Sequence, residues 1–187
     1  MSVTTSVVEQ GSVCTLKLSE APALYGLKLG MTIEQILDLF PGSKEDAELH
    51  SVLLASPGRF GNSTFLITPS KYKSATDYAG ISRVSISLLD ERVSNFTIHF
   101  NGPLWPDVDK FIAKFGEGKE LPPPDQWEAY AGMETQMKTL TCLGFSIRVF
   151  AGGEDGSLNY VLVQDLEADK KLRERRKKAR EQPVTNH

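Results

Sequence analysis

A chain of 187 residues, 40% hydrophobic and 24% charged, has the make-up of an ordinary globular protein with one core, or of two small repeated units sharing one. No apolar run approaches the ~20 residues of a membrane-spanning helix, and the start of the chain has neither a basic nor an apolar segment to direct secretion. Net charge is -3 but uneven: residues 166–187 hold eight Lys/Arg against four Asp/Glu, so a tail of +4 follows a body of -7.

Residues 1–12, rich in Ser, Thr and Val, are expected to form a flexible N-terminus. Residues 13–18 alternate and read as a short strand, with Ala21-Pro22-Ala23 as connector. Next comes the most informative stretch, Leu27 to Gly42. Thr32 is an N-cap and Gln35 its N3 partner, a capping box, while Met31 at N′ faces Ile36 at N4 as a hydrophobic staple. Ile33, Ile36, Leu37 and Phe40 make one apolar stripe, and Pro41-Gly42 stops the helix. Leu27 and Leu29 read as a short strand feeding it. A second short helix fits between Gly42 and the break at Pro57-Gly58, and residues 63–68 read as a strand.

From Ile81 the period becomes two. Val84, Ile86 and Leu88 alternate with serines, and Phe96, Ile98 and Phe100 alternate with Asn95, Thr97 and His99, which is a hairpin turning at Asp90-Glu91. A two-residue type I′ turn prefers Gly second, so the loop is expected to be slightly longer. Pro106 suits the first turn of another helix, where Val108, Phe111, Ile112 and Phe115 repeat the first stripe at an offset of 75 residues. Residues 121–125 form a polyproline-like linker, and Trp127 and Tyr130 are expected to anchor the following loop to the core. Residues 140–142 and 145–150 read as a second hairpin and residues 158–163 as another strand. Asp165 can cap a last helix from Leu166 to about Glu181.

This order predicts an α+β fold of two helix-plus-antiparallel-sheet units (residues 13–102 and 103–165), with the helices on one sheet face and a basic helix and tail at 166–187. On that arrangement Ser85, Ser87, Asn95, Thr97, His99, Ser146 and Arg148 line the opposite face, as solvated strand residues or as a binding platform.

Enzyme signatures are missing. There is no G-x-S-x-G elbow, no H-E-x-x-H and no complete P-loop, because the run at Gly116-Glu-Gly-Lys119 lacks the upstream Gly and the Ser/Thr. The three histidines, His50, His99 and His187, have no partner at metal-ligand spacing, so neither metal nor cofactor is expected. Carboxylate pairs such as Asp107/Asp109 read as solubilising helix faces. In the tail, Lys170, Lys171, Arg173, Arg175, Arg176, Lys177, Lys178 and Arg180 form the strongest single-sign feature. It lacks aromatic interleaving and contains Glu174, so a solvated helix or electrostatic docking site is favoured over a nucleic-acid arm. Cys14 and Cys142 are too far apart for a C-x-x-C motif: they are buried thiols in a reducing compartment or a bridge in an oxidising one.

The Leu29-Gly30-Met31-Thr32 helix start with its Pro41-Gly42 stop resembles the signature of SmpA/BamE-like envelope domains and the related β-lactamase-inhibitor-like fold. With Cys14-Thr-Leu-Lys-Leu-Ser, Asn101-Gly-Pro103-x-Trp105 and Leu140-x-Cys142-x-Gly144-Phe145, the chain is also similar to a group of uncharacterised secreted or envelope proteins of bacteria. The resemblance implies an extracytoplasmic domain and a Cys14 to Cys142 bridge, and it identifies no catalytic residue; a protein partner is expected. The expected function is therefore a non-catalytic binding or assembly module of the bacterial envelope. The alternative is a cytoplasmic protein that binds nucleic acid or an acidic partner through its basic helix.

Overall fold

The computed structural model describes residues 14–54, 57–72 and 78–181; the expected flexible segment 1–12 lies outside these. Four helices, α1 (Ile33–Asp38), α2 (Ala47–Leu54), α3 (Val108–Gly116) and α4 (Leu166–Glu181), accompany seven strands. These are β1 (Asn62–Ile67), β2 (Ile81–Leu89), β3 (Arg92–Phe100), β4 (Glu128–Ala129), β5 (Met137–Thr141), β6 (Phe145–Phe150) and β7 (Tyr160–Asp165). All pair antiparallel in one sheet of order β1-β2-β3-β7-β6-β5-β4. The fold is α+β.

The order has an approximate two-fold character. Each unit runs helix then antiparallel strands, and the last long strand of each, β3 and β7, meet at the centre of the sheet. One continuous core serves both units: Phe96, Ile98, Val161, Val163, Ile147 and Phe145 from the sheet pack with Ile36, Phe40, Phe111 and Ile112. Period-two burial on one sheet face drives this, because each strand places its β-branched or aromatic residues on the helix side.

The capping box at Thr32 is present, with Gln35 N–H donating to Thr32 Oγ1 at 3.3 Å and Thr32 N–H to Gln35 Oε1 at 2.9 Å. The helix stop comes two residues earlier than the stripe suggests. α1 ends at Asp38, and Phe40 is buried in the following turn, where Gly42 takes φ 95°. The Gly30-Met31 step is tied to the sheet, since Gly30 N–H donates to Val93 O (2.8 Å) and Val93 N–H to Met31 O (3.0 Å). That pairing fixes where α1 begins.

Six local expectations need correction. The segment expected as a strand at 13–18 makes, in its described part, one parallel bridge, Lys17 to Leu143, before a 3-10 turn at Leu18–Glu20. The residues feeding α1 likewise make only a Leu24–Leu27 bridge. Pro106 precedes α3, whose N-cap is Asp107, accepting from Lys110 N–H at 2.9 Å. Its neighbour Asp109 is no mere solubilising group, because it pairs at 2.7 Å with Lys138, whose side chain is largely buried. Finally, the β2–β3 loop is two residues long, with Asp90 at φ 51° and Glu91 at φ 64°, as a type I′ turn requires. Trp127 is buried and donates to Pro122 O at 2.9 Å, as an anchor should, whereas Tyr130 is exposed.

Candidate binding surface on the open sheet face

Opposite the helices, the register lays side chains out in rows across the sheet. One row runs Thr64, Ser87, Asn95, Gln164, Ser146, Thr141, and the next Leu66, Ser85, Thr97, Leu162, Arg148, Thr139. A third runs Arg83, His99, Tyr160, Phe150, Met137. All seven residues expected on this face from sequence alternation therefore share it, on the three strands β2, β3 and β6, and each retains solvent contact. The inward residues of the same strands, such as Val84, Ile86, Val161 and Ile147, are fully buried.

Two bulges make the phase work. Opposite β3, Ser82 is an extra residue between Ile81 and Arg83; opposite β2, Ser94 is extra between Val93 and Asn95. Each bulge serine also caps a ladder carbonyl, Ser82 Oγ donating to His99 O and Ser94 Oγ to Ser87 O, both at 3.1 Å. Without the bulge at Ser94, Val93 and Asn95 would fall on the same face. With it, Val93 enters the core and Asn95 faces out.

The face mixes hydroxyl, amide, charged and aromatic groups. Thr64 and Ser87 hydroxyls lie 3.0 Å apart. His99, Tyr160 and Phe150 sit side by side on β3, β7 and β6, with Phe150 stacked on Tyr160 at 5.5 Å between centroids and His99 tilted against it at 6.0 Å. Burial lowers the pKa of His99, and the Arg83 charge adds to the shift. Leu66 is 59% exposed and flanks Ser85. Sequence reasoning missed Leu66, Tyr160, Leu162, Gln164 and Phe150. The alternation of inward Val161 and Val163 could have placed the β7 residues, but the pairing of β3 with β7 that brings them beside Thr97 is long-range. No group of three or more His, Cys, Asp or Glu among the described residues is placed to hold a metal ion.

The basic helix is more committed than its composition suggests. Asp165 caps it, accepting from Ala168 N–H at 2.9 Å. Ala168, Leu172, Arg175 and Ala179 form its half-buried stripe, and the helix is held to the β2–β3 turn. Arg175 donates through both terminal nitrogens to Asp90 (2.8 Å each) and also to Phe60 O (2.7 Å), while Lys171 reaches Asp90 at 2.7 Å. Arg173 pairs with Asp169, and Lys177 with Glu181 at 3.9 Å. Among the described residues, Lys170, Arg176, Lys178 and Arg180 have no ion-pair partner.

Cys14 and Cys142 are joined in a disulfide that spans 128 residues and fixes the segment ahead of α1 to the β5–β6 turn. No described helix is long and apolar enough to cross a membrane. No family model, no curated protein and no solved structure matches the chain.

Proposed function

We propose that this protein is a non-catalytic binding or assembly module of the bacterial envelope, and that its partner is a protein laid across the open sheet face. The observation that carries the reading is the three-row surface itself. Hydroxyls, amides and the guanidinium groups of Arg83 and Arg148 surround a contiguous His99–Tyr160–Phe150 strip and two leucines. Aromatic anchors within a hydrogen-bonding rim are the composition of an energetically productive interface. The ladder already orders the backbone from which these side chains project, so binding requires no ordering of main chain on this face.

The envelope location is supported by the Cys14–Cys142 disulfide, a bond that persists in oxidising compartments, together with the likeness of the Gly30-Met31-Thr32 helix start to envelope domains. A nucleic-acid role for α4 is less well supported, because Lys171 and Arg175 are engaged by Asp90, and Arg173 and Lys177 by carboxylates of their own helix.

The test places a photo-crosslinking residue at Thr97, at the centre of the face, and compares it in cells with the same chain carrying Ser87→Ala, His99→Ala and Arg148→Ala. A discrete adduct lost in the substituted chain supports the reading; an adduct that survives the substitutions removes the sheet face as the site. A thiol count on denatured protein, purified from its host without reductant, tests the compartment. No free thiol is expected, and two free thiols would overturn the envelope assignment.

A further inference from the structure

On the helix side of the sheet, at the end of β3 away from the β2–β3 turn, a cleft of about 550 Å³ opens between the Tyr25 loop, the Gly102-Pro103 segment and α3. Its walls are a chain of touching rings. Tyr25 lies against Phe100 with centroids 6.4 Å apart, Phe100 meets Phe111 edge-on at 5.4 Å, and Trp105 is tilted against Phe111 at 5.9 Å. Phe115 continues the wall, and the polar side chains of the lining are Lys114 and Lys119 beside the Tyr25 hydroxyl. No described carboxylate lines the cleft.

The two lysines differ. Lys114 is exposed and pairs with Glu117 at 2.6 Å. Lys119 is half-buried, donates one hydrogen bond to Phe115 O at 2.7 Å, and lies 5.1 Å from the centre of the Phe115 ring. It has no carboxylate partner within ion-pair distance among the described residues. An ammonium has three donors, so two are unassigned in a partly desolvated setting, and desolvation accordingly lowers its pKa. Tyr25 is 44% exposed and holds φ 52° as the first central residue of the tight Leu24–Leu27 turn, with Gly26 at φ 82° behind it. Its carbonyl accepts from Tyr78 Oη at 3.0 Å, which holds the loop in place.

We propose that this cleft binds a small aromatic carboxylate, its ring system against Tyr25, Phe100 and Trp105 and its carboxylate on Lys119. The volume falls in the range of small-molecule sites. A carboxylate accepts from the two unassigned donors of Lys119 and adds an opposite charge, which a neutral ligand does not bring. The rings supply offset and edge-on faces for stacking. Asn159, fully buried, fixes the floor by donating to Pro103 O at 2.8 Å, so the site is preformed.

The probe is 2-naphthoate, compared by calorimetry with the neutral 2-naphthalenemethanol. The full chain is expected to bind one naphthoate with a Kd of about 10–100 μM, and the alcohol about tenfold or more weakly. Lys119→Gln should reduce naphthoate affinity to that of the alcohol while leaving the alcohol unchanged, which also shows the cleft intact. Tyr25→Asn should weaken both ligands, since Asn accepts the left-handed backbone while the ring wall is lost. No saturable binding below about 1 mM, equal affinity for acid and alcohol, or an unchanged Kd in Lys119→Gln would each overturn the assignment. Binding that persists in the Ser87, His99, Arg148 variant keeps this site separate from the open-face reading.

Discussion

Arg175 grips Asp90 with both guanidinium prongs at 2.8 Å, across 85 residues of sequence. This contact makes α4 part of the domain. Asp90 is at a turn in left-handed backbone, and the virtual Cβ of Gly61 would stand 2.8 Å from both partners. A side chain at that position, just ahead of β1, would displace both tips, and the φ of 76° there itself favours glycine.

Replacing Arg175 with Met should raise amide exchange across residues 170–181, with the sheet amides unchanged. The pH sign follows from the carboxylate. The hydrogen bonds from Arg175 first, and Lys171 second, hold Asp90 well below the usual carboxylate range. The contribution is thus complete above the unfolded value of about 3.9 and disappears as pH falls through the lower folded value. Helix-tail protection should persist at pH 4 and be lost in stronger acid, and Asp90→Asn should abolish that dependence. The pair is half-exposed, so high salt should weaken it.

Glu91 carries φ 64° in a turn whose second position favours glycine. Glu91→Gly should stabilise the protein by about 0.5–1 kcal/mol, the left-handed cost relieved less the added freedom of the unfolded chain. A calorimetric Tm higher by about 1–4 °C is the expected readout.

Reduction of Cys14–Cys142, or Cys→Ser at both positions, frees a loop of 128 residues. Chain entropy sets an upper value of about 5 kcal/mol, with measured losses of about 2–5 kcal/mol. Urea unfolding with and without reductant should show a lower midpoint for the reduced chain, and equal midpoints would count against a native bridge.

For His99, burial first and the Arg83 charge second lower the pKa. The unfolded chain then takes up the proton first, so stability is fully present above about 6.5 and falls as the pH drops through the folded value. NMR titration should place the His99 midpoint below 6.5, and Arg83→Gln should move it upward. Partner capture through the open face should weaken over the same interval, as the strip beside Tyr160 becomes charged.

The legible parts of the fold were those written in local pattern. Thr32 and Gln35 announce their cap, the alternation in β2 and β3 announces the hairpin, and the 75-residue offset between stripes announces the second unit. The repeat is imperfect at its ends, since Gly42 takes a positive φ while the glycine after α3 that does so is Gly118, not Gly116. Residues 13–18 looked like a strand because Leu16 and Leu18 alternate with polar neighbours. The disulfide and one bridge to Leu143 hold that segment instead, and neither is encoded locally. The open face was found for the same reason that it was only half found: parity places Ser87 and Thr97 together, but only the β3–β7 pairing adds Tyr160 and Leu162. The aromatic cleft gave no signal at all, because Tyr25 is distant in sequence from Phe100, Trp105 and Lys119, and no local pattern marks those three as one lining.

The two sheet borders differ in a way that bears on growth of the sheet. β4 is two residues long, exposes Glu128 and follows a proline run, all of which discourage a further strand. β1 has six residues, Asn62–Ile67, with no charge and no proline, and among the described residues no strand pairs with its outer side. Lateral extension is therefore one-sided. A strand from a partner, or β1 of a second copy related by a two-fold axis, can add at that border, and in the second case the blunt β4 borders at both outer ends terminate the assembly as a dimer instead of a fibre.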